Sequence, residues 1–188
     1  GLAPGVVMRE RAVNAINSGP ASAPQAGLCV AQPFGIDNVI TVDMGGTSFD
    51  ITLSKSGRTN FSKDTDFLRY RIGVPMIQVE TLGAGGGSIA FLDDFGMLQV
   101  GPRSAGANPG PVCYGKGGTE PTVTDANLVL GYLADGALLG GSIRLDRKAA
   151  IEAIQRKIAE PLGISVERAA IGIVTLVNLN MVSGIRRV

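Results

Sequence analysis

Apolar residues recur at two different periods along this 188-residue chain, and the change of period separates a strand-forming part from a helical part. In residues 38–54 (NVITVDMGGTSFDITLS) an apolar run meets a glycine pair, after which Phe49, Ile51 and Leu53 alternate with polar neighbours. A period of two puts alternate side chains on one face of a strand, so the segment predicts a hairpin with a glycine tip. Gly57 supplies the next turn. Residues 71–82 (RIGVPMIQVETL) predict a third extended segment, whose Pro75 suits a sheet edge or a strand start.

From residue 83 to 118 glycine and proline recur in GAGGGS, VGPRSAGANPGP and YGKGG, broken only by short apolar stretches around 89–92 and 97–100. Those anchors point to ordered loops on a scaffold, not to a structureless linker. Beyond them the spacing becomes three-and-four. Thr124 predicts a cap for a helix running through Ala126, Leu128, Val129 and Leu133. Asp146 predicts another, carrying Ile151, Ile154 and Ile158 and stopped by Pro161 and Gly163. Ser165 opens the longest, with Val166, Ala169, Ala170, Ile173, Val174, Val177 and Met181 as a buried stripe. Strands, then loops, then helices predict an α/β fold in which a mixed sheet is covered by the C-terminal helices. The length is that of one domain, with a lead-in at 1–36, a strand region at 37–100, a Gly/Pro loop at 101–121 and a helical region at 122–188.

Lys plus Arg number 17 and Asp plus Glu 16, so the net charge of +1 gives no electrostatic reason to expect nucleic acid or an anionic membrane as partner. No apolar run reaches the roughly 18 uninterrupted residues of a membrane span. The opening GLAPGVVMRE has no secretory pattern, which leads to the expectation of a cytoplasmic protein, and its lack of an initial Met to that of a piece of something longer. Cys29 and Cys113 have no metal-type spacing and read as reduced thiols. The chain holds no histidine, which removes His bases, His triads and His-containing zinc sites from it. Chemistry here must run through carboxylates, hydroxyls, backbone amides, Lys or Arg, or a metal held by oxygen.

The sharpest motif is DMGGTSFD at 43–50. A strand delivers Asp43, Gly45 and Gly46 let backbone amides approach an anion, and Thr47 and Ser48 add hydroxyl donors, which together make a phosphate cradle. Asp43 and Asp50 could act beside it, one through the water shell of a metal and one as base or orienter. The same residues would equally serve as a plain glycine hairpin with a capping Asp. LGAGGGS at 82–88 is a second glycine loop, and Ser88 stands where a dinucleotide fingerprint has its last glycine. It is either a tight connection or a set of amides at Gly85, Gly86 and Gly87, with Ser88, facing a ligand. Arg103, Ser104, Asn108, Tyr114 and Lys116 sit on a proline-stiffened loop that either lines a cleft or is solvated. Asp125 is placed to interact with a helix N-terminus.

In this order, SGP at 18–20, DMGGTSFD, GAGGGSIA at 83–90, the 100–118 loop, PTVTDANLVLG at 121–131, LGG at 139–141 and NMVSGIRRV at 180–188 resemble the hydantoinase A / 5-oxoprolinase family, which includes acetone and acetophenone carboxylase subunits. The resemblance implies an actin-like (ribonuclease H-like) ATPase lobe, and ATP hydrolysis with Mg²⁺ or Mn²⁺ coupled to opening a cyclic amide or carboxylating a ketone. It also implies a hydantoinase B-type partner subunit or fused domain. On it, Asp43, Gly45, Gly46, Thr47, Ser48 and Asp50 match the second-lobe phosphate loop, with Asp43 toward the metal. The GAGGGS segment and Asp125 would lie near the same cleft. The chain departs from the family pattern in lacking a first phosphate loop and a downstream adenosine segment, and in ASAPQA at 21–26, where Pro24 interrupts a helix start. A non-catalytic nucleotide-binding or scaffold module is the competing reading.

Overall fold

The computed structural model describes residues 4–67, 69–136, 138–139, 141 and 143–188; Gly140 of the LGG motif and the first three residues lie outside them. Where the sequence suggested one domain, contacts gather into two compact units. The first holds residues up to Asp43, Asp50–Thr81 and Val188; the second holds Met44–Phe49 and Leu82–Arg187.

The first unit opens with helix α1 (Gly5–Glu10) and, after short turns, α2 (Ala23–Ala31). Pro24, which reads as an interruption, lies in the first turn of α2, where a missing N–H leaves no helical bond unmade. Strands β1 (Val39–Met44), β2 (Phe49–Lys55) and β3 (Arg58–Thr59) follow, and the hairpin expected over 38–54 is present as adjacent β1 and β2. Phe49 and Ile51 are buried on β2, while Leu53 is only half-buried. Gly27 allows α2 to lie against β1, since a Cβ there would collide with Thr41. Next come β4 (Phe61–Ser62), β5 (Thr65–Phe67), β6 (Tyr70–Ile72), β7 (Met76–Ile77) and β8 (Glu80–Leu82). The single extended segment expected over 71–82 is therefore three short strands, interrupted at 73–75, which holds Gly73 and Pro75, and again at 78–79. β4 pairs with β7 and β5 with β6, both antiparallel, and β8 joins the β1-β2-β3 sheet alongside β2.

The second unit is built on a hairpin, β9 (Ser88–Leu92) and β10 (Leu98–Ser104), with Leu98 opposite Leu92 and Val100 opposite Ala90. Asp93 closes its turn by accepting the amides of Phe95 (3.0 Å) and Met97 (2.9 Å). Then come α3 (Val123–Val129), the short pair β11 (Leu138–Leu139) and β12 (Ile143–Arg144), and α4 (Arg147–Ile154). A π-helical turn at 155–159 leads into α5 (Glu160–Leu162), and α6 (Val166–Ile185) completes the unit. Asp146 and Ser165 cap α4 and α6 as expected, accepting the amides of Ala149 and Arg168. The cap of α3 is Thr122 rather than Thr124, and the helix ends before Leu133.

Ala169, Ala170, Ile173 and Val177 of α6 are buried, and Val166, Val174 and Met181 are half-buried. By length and composition (mean hydropathy 1.4) α6 could cross a bilayer; its buried residues pack against α3 and β10. The strands under α6 are thus the β9–β10 hairpin. The α/β class holds: one four-stranded sheet, β1-β2-β3 with β8 beside β2, stands alongside four antiparallel strand pairs.

Candidate functional site

Two glycine loops of the second unit lie backbone against backbone. The Gly45 amide donates to the Ser48 carbonyl (2.9 Å), closing the turn after β1. The carbonyls of this turn are then taken by the other loop: Gly86 N–H donates to Gly45 O (3.0 Å) and Gly87 N–H to Gly46 O (2.6 Å). Glycine is required on the second loop by this approach. A Cβ on Gly85 would stand 2.8 Å from Gly45 O and Thr47 N, and one on Gly87 2.8 Å from Gly46 O and Ser104 Oγ, well inside van der Waals contact.

The GAGGGS loop is therefore a brace. Its Gly86 and Gly87 amides are spent on the first loop, and the Gly85 amide donates to Ser88 Oγ at 2.9 Å. Ser88 is fully buried and its hydroxyl accepts that amide, so it does not face outward as a donor to a ligand. Behind the brace, Thr124 donates to Gly86 O twice, from its amide and its hydroxyl, each at 2.8 Å. Sequence reasoning missed Thr124 in this role because it read the residue as a cap.

Asp125 is also fully buried. Its Oδ2 accepts the amides of Thr122 (2.8 Å) and Val112 (3.2 Å) and the Thr122 hydroxyl (2.8 Å), while Oδ1 accepts the Cys113 amide (2.8 Å). With Thr122 it forms a reciprocal capping box, whose T-x-x-D signature is visible at 122–125. The carboxylate, expected near a nucleotide, is engaged in tying the 101–121 loop to α3. Burial, and then the Asp125 charge, push the neighbouring Cys113 thiol far above its ordinary range, so it stays protonated. On the same loop side, Arg103 lies over the Phe91 ring, 5.5 Å from its centroid.

Gly46 behaves differently from the bracing glycines. It has no positive φ, and a Cβ on it would meet nothing within 4 Å. Packing does not require glycine here. Among the described residues the Gly46 and Thr47 amides donate to no group, and both residues are exposed. With Ser48 half-buried beside them, this is an open set of donors held from behind, which suits an oxyanion. Within the first unit, Asp43 is exposed near the end of β1, and Asp50 Oδ1 accepts the Thr81 hydroxyl (2.6 Å). Among the described residues no group of three or more Asp, Glu or Cys gathers around Asp43. A divalent cation held by Asp43 would complete its shell with phosphate oxygens and water, the usual arrangement for magnesium.

A family model described as hydantoinase/oxoprolinase matches residues 1–188. The caprolactamase α subunit of Pseudomonas jessenii is 93% identical over 188 residues, covering 100% of this chain and 27% of that one. The acetophenone carboxylase γ subunit of Aromatoleum aromaticum is 44% identical over 183 residues, covering 96% of this chain and 25% of the other. The crystal structure of the ATP-dependent caprolactamase from Pseudomonas jessenii matches with a TM-score of 0.86 at 93% identity, over 100% of this chain and 27% of that one. The chain spans about a quarter of the length of these relatives.

Proposed function

The chain belongs to the hydantoinase/oxoprolinase family, and on that premise we propose that the intact protein is a cytoplasmic, ATP-dependent hydrolase of cyclic amides in which residues 43–50 hold the nucleotide phosphates. The observation that carries this reading is Gly46, a glycine that no packing or backbone torsion requires, beside two amides with no described acceptor. On this reading the position is small because a phosphate occupies the space. The brace from Gly86 and Gly87 fixes the turn in advance, so its donors are aimed before the anion arrives. Gly46, Thr47 and Ser48 would bind the phosphates, and Asp43 would hold the water shell of a magnesium or manganese ion. Asp50, positioned by Thr81, would orient a water or accept a proton.

ATP supplies the phosphoryl group that turns an amide oxygen into a leaving group. The likeness to an ATP-dependent caprolactamase favours a lactam as substrate, and the name of that relative, a subunit, favours a partner subunit of hydantoinase B type. A second reading, ATP-dependent carboxylation of a ketone, is supported by the acetophenone carboxylase relative. The two are separated by the substrate consumed, a lactam alone or a ketone together with bicarbonate.

The test is a pair of variants in the intact protein. Asp43→Asn keeps the shape and removes the charge, so nucleotide still binds by calorimetry while turnover falls at least about a hundredfold, the scale of a lost catalytic group. Gly46→Val fills the open side and weakens nucleotide binding itself. Wild-type turnover in both folded variants would reduce DMGGTSFD to a structural hairpin.

A further inference from the structure

The first unit contains a cavity of about 910 Å³ that none of the phosphate-loop residues line. Its lining combines the side-chain amides of Asn14, Asn17 and Gln25 and the hydroxyl of Ser18 with the apolar side chains of Met8, Leu28, Phe61, Met76 and Ile77. None of its lining residues is charged. No side-chain hydrogen bond of Asn14, Asn17 or Gln25 forms among the described residues. Amides beside apolar surface, with no charge among them, point to the class of ligand. A nucleotide or a carboxylate is favoured by cations, and the lining contains none. A neutral molecule with one amide and a few methylenes suits such a lining, because carboxamide side chains donate to its carbonyl and accept from its N–H while the methylenes leave water. The volume falls within the range of small-molecule pockets.

We propose that this cavity binds the neutral cyclic amide, with Asn17 and Gln25 as its polar partners. The proposal rests on the cyclic-amide reading above for the identity of the ring, and adds recognition residues none of which belongs to the phosphate loop. It concerns recognition alone and assigns no bond-making step to these residues.

Cys29 lines the same cavity and is exposed, whereas Cys113 is buried with its thiol held protonated. Alkylation of the intact protein by N-ethylmaleimide, read at each cysteine by mass spectrometry, therefore reports the cavity at Cys29 against a silent internal control. With ε-caprolactam at about ten times its dissociation constant only the empty fraction reacts, so Cys29 alkylation slows about tenfold. ATP at the same relative saturation leaves the rate unchanged. Asn17→Leu and Gln25→Leu each raise the protecting concentration of lactam about tenfold, the scale of one lost hydrogen bond. Ala26→Trp, at an exposed lining position, fills the cavity and abolishes protection. None of the three alters nucleotide affinity by calorimetry.

Protection by ATP instead of lactam would overturn the proposal, as would Cys29 alkylation unaffected by lactam concentrations that saturate turnover. Unchanged lactam protection in all three folded variants would overturn it too. Failure of the cyclic-amide reading looks different: lactam then neither protects nor turns over, while Gly46→Val still weakens nucleotide binding.

Discussion

Glycines of identical appearance in the sequence carry opposite roles. Gly85 is glycine because another backbone lies 2.8 Å from where its Cβ would be, whereas nothing lies within 4 Å of where a Gly46 Cβ would be. Gly85→Ala should therefore cost about 1–3 kcal/mol, the usual range for forcing an extra carbon into a packed contact, while Gly46→Ala should stay within about 0.5 kcal/mol. Urea unfolding of the two variants checks the contrast; equal losses would remove the distinction. Neither role could be read from GG or GGG alone, since the partner of each glycine lies some 40 residues away in the chain. Asp93 is a second residue whose role is local and testable. The amide of Met97, then the Gln99 side chain, hold its carboxyl below the ordinary aspartate value. The native turn binds the charged form, so its contribution is complete above about pH 4 and is lost as pH falls through the lowered value. In an NMR titration the Met97 and Phe95 amides should shift with a midpoint below that of a free aspartate, and Asp93→Asn should abolish the transition.

The elements that were legible in sequence are those whose causes are local. The 38–54 hairpin follows from alternation around a glycine pair, and the starts of α4 and α6 follow from Asp146 and Ser165, each capping the amide three residues on. The β9–β10 hairpin was harder to see because its strands are short and embedded in glycine and proline, so the composition of the loops outweighed the apolar pairs 89–92 and 97–100. The start of α3 was misplaced by two residues because Thr122 and Thr124 are both plausible caps, and only the reciprocal bond from Asp125 separates them. That bond makes Asp125 the fastening of an element. Replacing it with Ala leaves the buried amides of Thr122 and Cys113 without their acceptor, at about 1–3 kcal/mol for each unsatisfied group. Asp125→Ala should accordingly lower the urea midpoint sharply and make Cys113 reactive to thiol reagents before global unfolding. A variant with wild-type stability and a silent Cys113 would show that the 101–121 loop is held by something else.

At the scale of the molecule, the sequence announced the family and the phosphate-loop candidate, but not the division into two units. That division falls within DMGGTSFD itself, where a continuous motif changes unit at Asp43 and again at Asp50. Phosphoryl transfer depends on charge stabilisation from more than one side of the phosphates, and this chain has a single Asp-x-Gly-Gly-Thr loop. Alone, it should turn over ATP far below the roughly 1 per second of a slow kinase, measured as phosphate release; a rate at or above that value would show one loop to be sufficient. The interlocked glycine loops also bear on how such a motif could be moved or remodelled. The shape of 44–49 is stored in Gly85, Gly86, Gly87 and Thr124 as much as in its own residues. A transplant of DMGGTSFD into a foreign scaffold would carry the letters without the mould. The smallest cassette that keeps its form has to bring 82–88 and the first turn of α3 with it, so these distant stretches are bound to change together or not at all.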